Sequence, residues 1–127
     1  INLVGIEATR KELGKYGKVK GYVVDVSNNE IVNVAYRKTV EDCGEIDILI
    51  NCAGIITSNK TFDQQTPDEI VKTMNINTIA PMFVARAMLP DMLKRNRGQG
   101  RIKRISGFFV PIKLFFVKSA VAAALCP

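Results

Sequence analysis

Two short segments rich in aliphatic and aromatic residues limit the folds open to this chain. They are residues 19–26, with the sequence VKGYVVDV, and residues 46–51, with the sequence IDILIN. Apolar runs of this length are typical of strands covered on both faces, as in parallel sheets. Helical patterns alternate with these strands, so the sequence favours an α/β layered sheet, and one domain over residues 1–127 accounts for its length.

Residues that begin and end helices separate the predicted strands. A first helix is predicted over residues 2–15. Ser27 and Glu30 have the spacing of a capping box, which predicts a second helix as far as Cys43, and Gly44 supplies its stop. The predicted buried stripe of this second helix consists of Ile31, Val34 and Ala35.

The second half of the chain opens with another helix start, formed by Thr66 and Glu69 with Pro67 in the first turn. The apolar pattern predicts one helix from there to about Lys94. Beyond it, residues 101–106 predict a short strand, and the apolar remainder of the chain ends in a predicted alanine-rich helix.

The sequence contains no histidine, which excludes whole classes of site. Catalysis by Ser-His-Asp or Cys-His groups is ruled out, as are metal sites with histidine ligands, and no metal site is predicted. The cysteines Cys43, Cys52 and Cys126 lack metal-binding spacing, which predicts reduced, buried thiols in an intracellular compartment. No segment has the roughly 18 consecutive apolar residues of a membrane span.

The net charge of +6 leaves two interpretations open. Basic residues near the end of the long predicted helix would complement the helix dipole, which is the interpretation the pattern favours. The alternative is a basic surface for nucleic acid or anionic lipid. No aromatic residue is interleaved with these charges, so no nucleic acid partner is expected. The residues concerned are Lys94, Arg95, Arg97, Arg101, Lys103 and Arg104.

The motif with the clearest chemical meaning is Asn51-Cys52-Ala53-Gly54, directly after the second apolar strand. Small residues at a strand end allow a ligand to approach the backbone closely, where larger side chains would block it. By itself, a string of four residues also fits an ordinary turn from a strand into a loop.

The surroundings of this motif distinguish the two readings. Asp25-Val26 precedes it, and Asn77 follows it at the same interval. Together with the sequence segments DILINCAG and MNINTIAP, these features resemble the short-chain dehydrogenase/reductase family, most closely its retinol and 17-beta-hydroxysteroid dehydrogenase branch. The resemblance implies a partial Rossmann-like, doubly wound parallel sheet in three layers (αβα), lacking the first two strands and the C-terminal part.

The same resemblance implies a cofactor and the residues that hold it. The cofactor is NAD or NADP, bound by Asp25, Val26, the four residues of the Asn51–Gly54 motif and Lys118. Asp25 would meet the adenine amino group. Asn77 and Lys118 would belong to the proton relay. Independently of the family, Pro81 has no N–H for the carbonyl of Asn77, which predicts either a simple proline kink or a carbonyl that holds a water molecule.

Other parts of the family pattern are altered or missing. No glycine-rich turn for the pyrophosphate is present, so the choice between NAD and NADP cannot be predicted. Leu114 stands four residues before Lys118, where the family has its acid/base tyrosine, and leucine has no proton to give. Ser106 matches the first serine of the family's serine strand, but the usual catalytic serine falls on Gly107.

The resemblance implies an NAD(P)-dependent oxidoreductase that moves a hydride to or from a small lipophilic alcohol or ketone, such as a retinoid or steroid. Without the tyrosine, the chain as written is predicted to be inactive. The alternatives are a non-catalytic dehydrogenase-like binding protein and a truncated gene product; an uninterrupted transcript across residues 106–118 would contradict the latter. A homo-oligomer is a further expectation. The expected location is intracellular: cytoplasmic, or at the endoplasmic reticulum or lipid droplets if an anchor precedes residue 1.

Overall fold

The two apolar segments are strands of one five-stranded sheet in the computed structural model, which describes residues 3–56, 59–102, 116–118 and 121–126. Helices cover the sheet on both faces. The helices are α1 (Leu3–Leu13), α2 (Asn29–Cys43), α3 (Pro67–Met74) and α4 (Ala80–Lys94), and the strands are β1 (Lys18–Val23), β2 (Ile48–Cys52), β3 (Gln99–Ile102), β4 (Phe116–Lys118) and β5 (Val121–Cys126).

The strand order across the sheet is β1-β5-β4-β2-β3. β2 is parallel to β3 and to β4, whereas β5 is antiparallel to both of its neighbours, β1 and β4. It follows that β1, β4, β2 and β3 all run in the same direction and that β5 alone runs against them.

This order preserves the frame of a doubly wound sheet. In the common order 3-2-1-4-5, the third and fourth strands are separated by the second and the first. β1 and β2 are separated by two positions in the same way, and β5 and β4 fill these positions. The predicted Rossmann-like sheet without its first two strands is therefore confirmed, with a C-terminal strand pair in their place.

The alanine-rich helix predicted near the C-terminus is wrong, because the structure has β4 and β5 there. Each residue of β5 pairs with a residue of β1, from Val121 opposite Val23 to Cys126 opposite Lys18. Helix propensity is a weak preference, and an unpaired strand edge offers a full row of backbone hydrogen bonds. Pairing along β1 outweighs the helical tendency of alanine.

The side chains of β1 show that the sheet lies between two helical layers. A Cβ atom placed on Gly21 would overlap Cγ2 of Ile6, so α1 covers that face. Neighbouring residues of a strand point to opposite faces. Tyr22 accordingly packs against the core of the other face, and its hydroxyl donates a hydrogen bond of 2.8 Å to Asp42 of α2. Burial of the Tyr22 ring raises its pKa to about 12, with Asp42 adding to the effect.

The main core lies between the sheet and the layer formed by α2 and α4. Leu49 of β2 is its most completely buried large side chain among the described residues. The predicted stripe of α2 is wrong at Ile31 and Val34, which are 41% and 57% exposed, while Ala35 packs against the core. The other core members are Val24, Val26, Val32, Ala80, Val84, Ala85, Met88 and Met92.

The N-cap of α2 also differs from the predicted one. The helix begins after Asn28, whose side chain accepts hydrogen bonds from the N–H groups of Glu30 and Ile31. The predicted Ser27–Glu30 capping box is thus wrong, because Ser27 bonds to Asp25 instead. At the other end the prediction is confirmed: Gly44, at φ 77°, donates its N–H to the carbonyl of Val40.

Ion pairs hold the end of α4 against the start of β2. Arg95 donates to Asp47 at 2.9 Å, to Glu45 at 3.1 Å and to the carbonyl of Ile46 at 2.7 Å, and Arg97 reaches Asp47 at 2.8 Å. The hydrogen bond that Arg95 donates to the Asp47 carboxylate raises the pKa of Arg95. These contacts support a structural role, and not a binding surface, for two residues of the basic cluster, Arg95 and Arg97.

Two further predictions concern cysteines and membranes. Cys43, at the end of α2, is disulfide-bonded, so the prediction of reduced thiols is wrong at this residue. Sequence spacing carries no information on which residues folding brings within bonding distance. Among the described helices, none combines the length and the apolar character needed to cross a bilayer. The described residues also contain no cluster of side chains able to hold a metal ion.

The packing of α1 on β1 can be tested at Gly21. We expect Gly21→Ala to lower the free energy of unfolding by about 1–3 kcal/mol, because the added methyl group overlaps Ile6. In an Ile6→Ala background the same change should cost much less. Urea unfolding of the four proteins of this cycle measures the coupling. Additive effects of the two substitutions would show that α1 does not cover Gly21.

Candidate functional site

A cavity of about 580 Å³ opens where β1 and β2 end. Its volume lies within the range of small-molecule sites, roughly 300–1,000 Å³. In open α/β sheets, ligands bind at the carboxyl ends of the strands. The lining comes from the segment after β1, the segment after β2 and α3 with the turn that follows it: Val24, Asp25, Val26, Ser27, Ala53, Gly54, Ile55, Asp68, Val71, Lys72, Asn75 and Ile76.

Asp25 is the acidic group of the first segment. Its Oδ1 atom accepts two hydrogen bonds from Ser27, from the backbone N–H at 3.0 Å and from the hydroxyl at 2.6 Å. These bonds lower the pKa of the Asp25 carboxyl. Asp25 is solvent-exposed, and no described residue hydrogen-bonds its Oδ2 atom. A fixed carboxylate with one oxygen available can accept a hydrogen bond from a ligand's amino group.

The rest of the cavity wall is mainly apolar and small. Val26 is buried, and Ala53 and Gly54 present little side-chain volume where the chain leaves β2. Ile55 and Ile76 contribute half-buried aliphatic surface. Such a wall suits the flat face of an aromatic ring, with the carboxylate at its edge to orient it.

Asn77 fixes the segment that follows β2. Its side-chain Oδ1 atom accepts a hydrogen bond of 2.8 Å from the N–H of Ile55, and its Nδ2 atom donates one of 2.9 Å to the carbonyl of the same residue. This pair of bonds satisfies both backbone groups of Ile55, directly after the small residues of the cavity wall. Asn77 therefore positions the loop that forms the cavity, although it does not line the cavity itself.

The helix around Asn77 is not continuous, contrary to the prediction of one helix from Thr66 to Lys94. The capping box at Thr66 is confirmed, with bonds in both directions between Thr66 and Glu69. A π-helical turn, Asn75–Ile79, then separates α3 from α4. In this turn the N–H of Ala80 bonds to the carbonyl of Asn75, five residues back.

The cause of the interruption is Pro81, which cannot donate a hydrogen bond to the carbonyl of Asn77 four residues earlier. A wider turn is a common way for a helix to absorb such a defect, and it occurs often at functional sites. The sequence thus predicted correctly where the helix is perturbed, but it did not predict the π-helical turn. Whether the carbonyl of Asn77 holds a water molecule stays a prediction.

The structure brings together four of the residues predicted to bind the cofactor: Asp25, Val26, Ala53 and Gly54 all line the cavity. Asn51 and Cys52 are not part of the lining. Asn51 is only 2% exposed, and its Nδ2 atom has no hydrogen-bond partner in the part of the chain that is described. Asn51 is a residue of the sheet interior, where its geometry assigns it no contact with the cavity.

The structure gives less information on the residues near the C-terminus that were considered for catalysis. Ser106, Gly107 and Leu114 lie outside the described residues. Lys118 is the last residue of β4 and pairs with Cys52 of β2. The structure therefore places Lys118 at the edge of the sheet where the cavity opens, and its predicted role in proton transfer stays a prediction.

Sequence reasoning missed the cavity residues contributed by α3 and the turn after it. Asp68, Val71, Lys72, Asn75 and Ile76 follow the helix start at Thr66, but nothing in their spacing shows which strand end they face. Ser27 also lines the cavity and was missed, but a sequence signal for it exists. A serine two residues after an aspartate is a recognisable side-chain turn, and that signal could have identified it as the partner of Asp25.

Comparison with families of known proteins gives one broad match. The family model for short chain dehydrogenases matches residues 2–108. Among curated proteins, estradiol 17-beta-dehydrogenase 11 of Rattus norvegicus is 39% identical over 99 residues, covering 77% of this chain and 33% of the relative. Retinol dehydrogenase 10-B of Danio rerio is 39% identical over 82 residues, covering 64% of this chain and 24% of the relative. The chain thus spans about a third or less of these relatives.

Solved structures give the same picture. An NAD+-bound xylitol dehydrogenase superposes with a TM-score of 0.75 at 25% identity, covering 80% of this chain and 39% of the other. The protein ElxO with NADP bound superposes with a TM-score of 0.61 at 32% identity, covering 68% of this chain and 37% of the other. Both contain a bound nicotinamide dinucleotide.

The positioning role of Asn77 can be tested by removing one of its two bonds. In Asn77→Asp the ionised carboxylate still accepts from Ile55 but cannot donate to its carbonyl, so we expect a loss of about 1–3 kcal/mol in the free energy of unfolding. The Ile55 amide should also exchange with solvent faster. The measurements are urea unfolding and amide hydrogen exchange by NMR. Asn33→Asp on α2 is the matched control; equal effects of both substitutions would refute the role.

Proposed function

Since the chain belongs to the short-chain dehydrogenase family, we propose that its cavity binds the adenosine part of NAD or NADP. The observation that carries this proposal is the meeting of Asp25 with Ala53 and Gly54 around one cavity of suitable size. The carboxylate of Asp25 would accept a hydrogen bond from the adenine amino group. The small residues after β2 would let the ribose approach the backbone.

The residues present fit an adenine nucleotide in shape and chemistry. Ser27 holds Asp25 as an anion, which suits an amino donor and disfavours a keto oxygen at the same place. Val26 and Ile76 supply apolar surface for the ring. Asn77 keeps Ile55, and with it the loop after Gly54, in one conformation, so the ribose side of the cavity is formed before a ligand arrives.

The finer proposal concerns the reaction of the family to which this chain belongs. We propose an NAD(P)-dependent oxidoreductase acting on a lipophilic alcohol or ketone. The bound nicotinamide supplies or accepts the hydride in such a reaction. The support is the similarity to relatives named for estradiol and retinol, together with the family's alcohol chemistry. Because the chain spans about a third of those relatives, substrate and activity are proposed for the family member as a whole.

A second candidate function is binding without turnover, and one observation favours it for the 127-residue chain. At the position of the acid/base tyrosine stands Leu114, which has no ionisable group. A chain with an adenosine cavity but no acid/base residue would bind the dinucleotide and leave an alcohol unchanged.

The adenine contact can be tested by pairing a protein change with a ligand change. Asp25→Ala should weaken NAD about tenfold, in line with the loss of a hydrogen bond to a charged group. Nicotinamide hypoxanthine dinucleotide, which has a keto oxygen in place of the amino group, should bind Asp25→Ala at least as tightly as it binds the unaltered chain, because the repulsion by the Asp25 carboxylate is removed. Isothermal titration calorimetry measures all four affinities. Asp63→Ala, in the exposed turn after β2, is the control; equal losses for both ligands would contradict the contact.

The absence of turnover is a separate prediction. We expect the purified 127-residue chain to bind NADH without oxidising retinol or estradiol in the presence of NAD or NADP, since Leu114 cannot exchange a proton. Cofactor absorbance at 340 nm would follow the reaction. Measurable oxidation of either alcohol would overturn the proposal of binding without turnover.

A further inference from the structure

We propose that Lys72 of α3 binds a phosphate group of the nucleotide in the cavity and thereby determines which adenine nucleotides the site prefers. This inference rests on the proposed binding of adenosine and deepens it. Such a phosphate has two sources. One is the 5′-phosphate that joins adenosine to the rest of a dinucleotide, and the other is the 2′-phosphate that distinguishes NADP from NAD.

The face of α3 that lines the cavity carries Lys72 in its middle. Asp68 precedes Lys72 by four residues, Ile76 follows it by four, and all three line the cavity. Residues four apart on a helix have Cβ atoms roughly 5–6 Å apart on one face. Lys72 therefore lies one turn from Ile76, which belongs to the proposed contact with the base. The flexible four-carbon stem of a lysine can carry its ammonium group past the ring to the ribose.

The ammonium group of Lys72 is available to a ligand. Among the described residues, the side chain of Lys72 has no hydrogen-bond or ion-pair partner, although Asp68 lies one turn away. Lys60, which also lies beside α3, is by contrast held by Glu69 at 3.0 Å. Lys72 is exposed, so its ammonium group is hydrated and can exchange water for the oxygens of a phosphate.

The charges of the cavity make Lys72 the group that a phosphate requires. The charged side chains in the described lining are Asp25, Asp68 and Lys72, so Lys72 is the cation of that lining. In the proposed complex, Asp25 is occupied by the adenine amino group. Asp68 lies in the first turn of α3, where a carboxylate complements the helix dipole. A phosphate on the ribose is therefore compensated by Lys72.

The test uses ligands that share adenosine and differ in their phosphate. Adenosine, 5′-AMP and 2′-AMP are titrated into the unaltered chain, Lys72→Gln and Lys72→Arg by isothermal titration calorimetry at low salt. We expect Lys72→Gln to bind adenosine unchanged and to lose about tenfold in affinity for at least one monophosphate, as for a hydrogen bond between charged groups. Lys72→Arg keeps the charge and should keep most of the affinity. The loss should shrink as salt is raised.

The two monophosphates identify the source of the phosphate. A loss confined to 2′-AMP places Lys72 at the 2′-phosphate, and the unaltered chain should then bind NADP more tightly than NAD by a similar factor. A loss confined to 5′-AMP places Lys72 at the phosphates that join the dinucleotide, and Lys72→Gln should then weaken NAD and NADP alike.

Two control variants separate a direct contact from the general charge of the surface. Lys94→Gln, at the end of α4, removes a positive charge away from the cavity lining and should bind all three ligands as the unaltered chain does. Asp68→Asn removes a charge of the lining that has no proposed phosphate contact, and it should raise monophosphate affinity only about twofold. A gain for Asp68→Asn as large as the loss for Lys72→Gln would overturn the proposed contact.

Other results would also overturn the proposal. Unchanged affinity of Lys72→Gln for both monophosphates would show that the phosphate is bound elsewhere. Equal losses for adenosine and for the monophosphates would show that Lys72 shapes the cavity and does not bind a phosphate. In both cases the nucleotide cavity itself stands. Failure of the unaltered chain to bind adenosine would instead refute the proposed nucleotide cavity, and the phosphate contact with it.

Discussion

Backbone pairing through β5 and β4 holds β1 and β2 apart, with two strands between them, and the rest of the structure follows from that separation. β1 and β2 are joined by the crossover through α2, which must span both intervening positions before it returns to the sheet. α2 can then pack on α4, and Leu49 becomes enclosed between the sheet and this helical layer. Without strands in the middle, the two parallel halves would present unpaired edges to each other.

The cavity is a product of the same separation. Asp25 and Gly54 follow β1 and β2, and they can line one cavity because the two strands run in the same direction and end at the same edge. The helical layer then refines the site. Pro81 forces a wide turn into the long helix, and Asn77 in that turn grips both backbone groups of Ile55. The π-helical turn caused by Pro81 thus carries the residue, Asn77, that fixes the cavity wall.

The features predicted correctly from sequence are those encoded by neighbouring residues. The capping box at Thr66, the stop at Gly44 and the small residues after β2 each depend on a few adjacent side chains. The failures depend on distant partners. The stripe of α2 is set by where α4 lies, and β5 is a strand because β1 needs a partner. Of the site, Asp25 and Gly54 were predictable from the family pattern, but the contribution of α3 was not.

The antiparallel pairing of β5 with β1 also has a consequence for how the chain folds. Lys18 and Cys126 are partners in the sheet although they lie near opposite ends of the sequence. Contacts of such long range are slow to form, because the entropy of closing the loop is lost before the contact stabilises anything. During synthesis, β1 therefore leaves the ribosome long before β5, the strand that pairs with it, has been translated.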